Sequence, residues 1–122
     1  MKKIKLFDAE LRLMELIWQQ QKQPVSAKQL SILANDEIGW NKNTTYTVIK
    51  KLVAKNAVKR EEPNYICVPL ISRDQVQLAE TRDLINKLFE GSVKTFFSSF
   101  IKKENLTDDE ISQLKDLIDK KL

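Results

Sequence analysis

One short β-forming stretch, set among segments with helical periodicity, constrains the fold of this chain more than any other feature. The runs 57–61 and 65–70 flank Glu62-Pro63-Asn64, and two short runs around a Pro-Asn turn predict a β-hairpin. Three segments with helical periodicity precede this hairpin and three follow it. The 122 residues are enough for one domain, or for a small domain with an appended module.

Capping residues and apolar periodicity define the helices before the hairpin. Asp8 is predicted to cap the first helix, and the pair 24–25 predicts a short extended link. Residues 26–29 form a capping box that begins the second helix, and Asn41 is expected to cap a third that ends near Lys55. The apolar stripe of the first helix is Leu11, Met14, Ile17 and Trp18.

The three predicted C-terminal helices begin at the capping box 72–75, at Ser92 and at the capping box 107–110. We expect a boundary between a domain at 1–71 and a helical unit at 72–122. A helical unit of this size buries too little surface to be stable alone, so its apolar stripes need a partner. A second copy is the simplest partner, and packing against the chain's own first domain is the alternative. The predicted dimer-interface positions are Leu84, Leu88, Val93, Phe96, Phe97, Phe100, Ile111, Leu114 and Ile118.

Several residue types needed for catalysis or cofactor binding are scarce or missing. The chain has no His, one Cys and two Gly, so we expect no metal site, no His-based catalytic triad and no glycine-rich phosphate loop. The acidic clusters 36–37, 61–62 and 108–110 lie at predicted turns or helix starts, where acids have structural roles. We therefore predict a protein without catalytic activity or cofactor, in which Cys67 is a buried apolar residue.

Neither a membrane span nor a secretory signal is evident in the sequence. No apolar run approaches the ~18 residues that a transmembrane helix needs. The basic N-terminus lacks the apolar core of a signal peptide. These features predict a cytoplasmic protein that does not insert into membranes.

Positive charge is concentrated in the first half of the chain. Residues 1–70 contain 12 basic and 7 acidic side chains, whereas residues 71–122 contain 9 basic and 10 acidic ones. Residues 41–60 contain six basic side chains and no acid. A local excess of this kind suits a polyanionic partner, although a solvated helix face is the alternative.

Three helices followed by a hairpin are the arrangement of a winged helix, a mainly α fold that contains a helix-turn-helix. In this fold the third helix lies in the major groove of double-stranded DNA. The alternative is a winged-helix protein-interaction module, because a fold alone does not decide function. The hairpin would contact the DNA backbone through Arg60, although Glu61 and Glu62 would repel phosphate. The candidates for base contacts are Asn43, Thr44, Tyr46 and Thr47, and those for phosphate contacts are Lys42, Lys50, Lys51 and Lys55.

An ordered set of motifs resembles the penicillinase repressor (BlaI/MecI/CopY) family over nearly the whole chain. The set comprises Leu-Arg-Leu-Met-Glu-Leu-Ile-Trp at 11–18, Trp40, Thr-Thr-Tyr-Thr-Val-Ile-Lys-Lys-Leu at 44–52, and Lys55. The resemblance implies a homodimeric repressor of β-lactam resistance or other stress genes that binds a palindromic TACA/TGTA operator. The DNA-contacting residues that it implies are Asn43, Thr44, Tyr46, Thr47 and Lys51.

The same resemblance implies a release mechanism. In the family, a membrane sensor-protease triggers cleavage of the repressor before a Phe in the penultimate helix, and the matching bond here is Ser99-Phe100. Relatives carry Asn where this chain has Ser99. The paired cysteines of the copper-responsive branch are missing, which argues against copper sensing.

Overall fold

The computed structural model describes residues 4–20 and 24–121, which fall into two compact units within 1–77 and 78–122. The order of three helices, a hairpin and three helices is confirmed, and the fold is a winged helix followed by a helical unit. The domain boundary between 71 and 72 stays a prediction. The elements are α1 (Asp8–Gln19), β1 (Val25–Ser26), α2 (Ala27–Glu37), α3 (Lys42–Ala54), β2 (Val58–Glu61), β3 (Ile66–Pro69), α4 (Arg73–Leu88), α5 (Val93–Lys103) and α6 (Asp108–Lys121).

The first helix begins differently from the prediction. Asp8 is the first helical residue and Phe7 is the N-cap, so the prediction that Asp8 caps α1 is wrong. The Glu10 carboxylate reaches back and accepts the Phe7 N–H at 2.7 Å, which is one half of a capping box. The other half is missing, because the Phe7 side chain has no acceptor for the N–H groups of the first turn.

The caps of α2 and α3 confirm the predictions. The Gln29 N–H donates to Ser26 Oγ at 3.1 Å, and the Ser26 N–H donates to Gln29 Oε1 at 3.0 Å. The Thr44 N–H donates to Asn41 Oδ1 at 2.8 Å. Gly39 joins the two helices with a φ of 85°, a left-handed value that glycine adopts without steric cost. The helix-turn-helix geometry is therefore specified by local sequence.

A third strand joins the predicted hairpin. The sheet order is β1-β3-β2 with antiparallel pairing, and Arg60 lies opposite Cys67 in the hairpin register. Val25 also pairs with Cys67, so the segment predicted as an extended link is an edge strand. Two residues are too few to show the alternation by which strands are recognised in a sequence. We call residues 58–69, which form the hairpin, the wing.

One hydrophobic core joins α1, α2, α3 and the sheet. On α1, Met14 and Ile17 are buried as predicted, whereas Leu11 and Trp18 are half-buried at its edge. The Trp18 indole N–H donates to the Ile71 carbonyl at 3.0 Å, which satisfies its polar group. Each fully buried Leu or Ile side chain stabilises the fold by about 1.5–3 kcal/mol. The fully buried core side chains include Leu13, Met14, Leu30, Ile49, Leu52, Val58 and Cys67.

The predicted helix starts in the C-terminal half are also confirmed. Ser72 and Gln75 form a reciprocal capping box at the start of α4, and Thr107 and Glu110 form another at α6. Ser92 Oγ accepts the Thr95 N–H at 3.1 Å and caps α5. All three C-terminal helices thus have capped starts.

Candidate nucleic-acid interface

Helix α3 presents one polar and basic face to solvent. Its opposite face packs Thr45, Val48, Ile49 and Leu52 into the core, which fixes the helix orientation. Six of the predicted DNA-contacting side chains are exposed as a result. These residues, called here the exposed α3 face, are Lys42, Asn43, Thr44, Thr47, Lys50 and Lys51.

The lysines of the exposed α3 face keep their charges free of acids. No ion pair between described residues involves Lys42, Lys50 or Lys51, and α3 itself contains no Asp or Glu. A helix face that only contacts water usually mixes charge signs and gains stability from pairs three or four residues apart. Uncompensated lysines beside Asn and Thr side chains are suited to a phosphate backbone and to base edges.

Tyr46 is placed differently from the other predicted contact residues. It is half-buried, and its ring meets the ring of Tyr65 edge to face at a centroid distance of 6.0 Å. The Lys42 ammonium lies 5.7 Å from the Tyr46 ring centroid. Tyr46 therefore attaches α3 to the wing. Tyr65 was not among the predicted contact residues, since a contact between residues 19 positions apart leaves no local pattern in the sequence.

Arg60 on the wing is held by two neighbours. Its Nε donates to Glu62 Oε1 at 2.6 Å, and its guanidinium lies 3.7 Å from the centroid of the Tyr65 ring. Burial raises the pKa of Tyr65 above its usual value, and nearby Arg60 opposes that rise by favouring the phenolate. The guanidinium is thus ordered beside α3 while its side chain stays about half exposed.

Lys55 lies apart from the exposed α3 face. Its ammonium donates to Glu10 Oε1 at 2.6 Å and to the Lys5 carbonyl at 2.7 Å, and it lies 4.1 Å from the Phe7 ring centroid. Glu10 is only 2% exposed, and its Oε2 accepts no hydrogen bond from the described residues. Lys55 was predicted to contact phosphate. In the structure its ammonium pairs with the Glu10 carboxylate inside the first unit. Glu10, like Tyr65, carries no signal in the sequence that indicates this pairing.

Cys67 is confirmed as a buried residue, on β3. Burial raises the pKa of its thiol to about 11. Within residues 4–20 and 24–121, no group of three or more His, Cys, Asp or Glu side chains could hold a metal ion. No helix in this part of the chain is long and apolar enough to cross a membrane.

The second unit carries the predicted dimer-interface residues. Phe96 lies at the centre of an aromatic cluster, with centroids 5.3 Å from Phe89, 5.4 Å from Phe97 and 5.8 Å from Phe100. Ile85 is the one buried residue among the described parts of α4, α5 and α6. The Ser99-Phe100 bond lies within α5, where the Phe100 side chain is 47% exposed. The exposed members of the predicted interface are Leu84, Leu88, Val93, Phe97, Phe100, Ile111 and Ile118, while Phe96 and Leu114 are half-buried.

The fold and the exposed α3 face define a winged-helix protein of the regulatory type. A family model for penicillinase repressors matches residues 6–120, and the chain belongs to this family of transcriptional repressors. It is 27% identical over 122 residues to the methicillin resistance regulatory protein MecI of Staphylococcus aureus, with 98% of each chain covered. It is 29% identical over 119 residues to a penicillinase repressor of the same species, covering 96% of this chain and 93% of the relative. The resemblance seen in the sequence is confirmed.

Proposed function

We propose that this repressor binds a palindromic operator as a homodimer and inserts α3 of each protomer into the major groove. The observation that carries the proposal is the exposed α3 face, which is basic, free of acids and set in orientation by the buried opposite face of the helix. Base edges would be contacted by Asn43, Thr44 and Thr47, since an Asn amide can pair with adenine and a Thr methyl can meet a thymine methyl. Lys42, Lys50 and Lys51 would bind phosphates and supply salt-dependent affinity.

Exposed apolar side chains in the second unit support the homodimer part of this proposal. Seven of the predicted interface side chains on α4, α5 and α6 are exposed in the single chain, and covering them with a second copy would remove them from water. A dimer places two recognition helices on half-sites about one helical turn apart, near 34 Å. Linking the two binding events raises the affinity well above that of a single domain.

The names of the relatives are the basis for proposing which genes this chain regulates. Their names refer to methicillin resistance and to penicillinase, and we infer that this chain controls β-lactam resistance or related stress genes. Cleavage of Ser99-Phe100, set off by a membrane sensor-protease, would cut α5 inside the proposed interface. The two DNA-binding units would separate, and the gain from linked binding would be lost.

The test is a titration of labelled duplex that contains paired TACA/TGTA half-sites, beside a scrambled duplex, at two salt concentrations. The expected result is tight, salt-sensitive binding to the palindrome at two chains per duplex. Thr44→Ala and Lys51→Ala should each weaken it, while Lys120→Ala, which removes the same charge from an exposed position in the last turn of α6, should not. Equal weak binding to both duplexes would overturn the assigned operator. Failure to bind either one would favour a protein-interaction module.

A further inference from the structure

We propose that Glu62 competes with DNA phosphate for the Arg60 guanidinium and thereby restrains the affinity for all duplexes. The inference rests on the proposed DNA-binding function and deepens it. It starts from the ion pair between Arg60 Nε and Glu62 Oε1, which are 2.6 Å apart on the wing. A carboxylate offers a guanidinium the same kind of charged oxygens as a phosphate, so the two ligands are alternatives for one cation.

The surroundings of Arg60 favour an exchange of partners in place. The Tyr65 ring, 3.7 Å from the guanidinium carbon to its centroid, supports the cation on one side. The pairing with Glu62 engages Nε, and a guanidinium carries several further N–H donors. The Arg60 guanidinium can therefore exchange the Glu62 carboxylate for a DNA phosphate while it stays stacked on the Tyr65 ring.

Exposure makes the pair easy to open. The Arg60 and Glu62 side chains are 48% and 59% exposed, and an ion pair in that environment is weak because water screens it. Breaking the Arg60–Glu62 ion pair costs the same free energy on every DNA duplex, whereas only the correct operator adds base contacts to α3. Glu62 would thus lower the phosphate-dependent part of binding that all duplexes share.

The wing supplies a matched control. Glu61 is the neighbouring residue, is also exposed, and pairs with no other described residue through an ion pair. Glu61→Gln and Glu62→Gln change the net charge equally at adjacent positions. A glutamine at 62 also keeps a carbonyl oxygen that can accept the Tyr65 N–H, which donates to Glu62 Oε2 at 3.4 Å. Any difference between the two variants therefore reports the pairing with Arg60.

The experiment measures dissociation constants of the full chain for operator and scrambled duplexes. Glu62→Gln is expected to bind both about three- to tenfold more tightly than Glu61→Gln does, with two wings contributing per dimer. The tighter binding of Glu62→Gln should be lost when Arg60→Gln is also present. In that background Glu61→Gln and Glu62→Gln should bind DNA with the same affinity. Equal effects of both variants on the native background, or a gain that survives Arg60→Gln, would overturn the inference while leaving DNA binding intact. Wild-type protein that binds no duplex would overturn the proposed function, and this inference with it.

Discussion

The ring of Tyr46 on α3 meets the ring of Tyr65 on the wing edge to face, with centroids 6.0 Å apart and ring planes at 82°. The Tyr65 carbonyl also accepts the N–H of Ala27, the first residue of α2, at 2.9 Å. Tyr65 therefore joins both helices of the helix-turn-helix to the wing. Its backbone adopts a φ of 51°, a value that is uncommon outside glycine and that the hydrogen bond to α2 helps to hold. The wing's position beside α3 depends on this residue.

Replacement of Tyr65 by Leu should weaken operator binding by about three- to tenfold, because an aromatic pair contributes about 0.5–1.5 kcal/mol beyond burial. Tyr65→Phe keeps the ring and should bind within about twofold of the native protein. Both affinities are measured by duplex titration, with circular dichroism to verify folding. If Tyr65→Phe loses as much affinity as Tyr65→Leu, the hydroxyl and not the ring contact is responsible.

Lys55→Ala should lower the free energy of unfolding by about 2 kcal/mol, since it leaves the buried Glu10 carboxylate without its cationic partner. The Lys55 side chain is 28% exposed, which places the expected loss below that of a fully buried pair. Urea denaturation gives the value. Lys51→Ala is the control, because it removes an exposed lysine from the same helix. A loss no larger than that of Lys51→Ala would show that Glu10 does not depend on Lys55.

Features of the fold that depend on neighbouring residues were predictable from the sequence. The caps at Ser26, Asn41 and Ser92 follow from side chains that reach backbone groups three residues away. The orientation of α3 follows from the helical spacing of its apolar residues Val48, Ile49 and Leu52, all of which are buried. Because the apolar residues of α3 face the core, the polar residues between them face solvent. Six of the predicted contact residues are among these exposed polar residues.

Features that depend on residues distant in sequence were not predictable. Glu10 and Lys55 are 45 positions apart, and nothing near Lys55 distinguishes it from the exposed lysines of α3. The edge strand β1 exists because β3 offers it a partner, since two residues have no strand pattern of their own. The cap of α1 was assigned to Asp8 because Asp is a common N-cap residue, whereas the helix begins at Asp8 and its N-cap is Phe7, which no capping preference indicates.

Phe100→Asp should convert the proposed dimer to a monomer, because it places a charge on the apolar face of α5 where a second copy would pack. Ser98→Asp is the matched control, since it puts the same charge on an exposed polar position of that helix. Sedimentation equilibrium measures the association state, and operator affinity should fall at least about 100-fold with Phe100→Asp alone. Dimers that persist in Phe100→Asp would place the interface elsewhere.

The stabilising contribution of Cys67 should decline at alkaline pH. Burial raises the pKa of its thiol from 9.0 to about 11, so the folded state holds the proton more tightly than the unfolded state does. Unfolding then releases a proton above pH 9, and the stability from this residue is complete below pH 9 and falls as the pH rises toward 11. Comparing the unfolding free energies of the native protein and Cys67→Ala at each pH cancels the contributions of other groups. Their difference should shrink by about 1 kcal/mol between pH 8 and pH 10, because one pKa unit corresponds to about 1.4 kcal/mol. A difference that stays constant over this range would show that the folded chain does not hold the thiol proton.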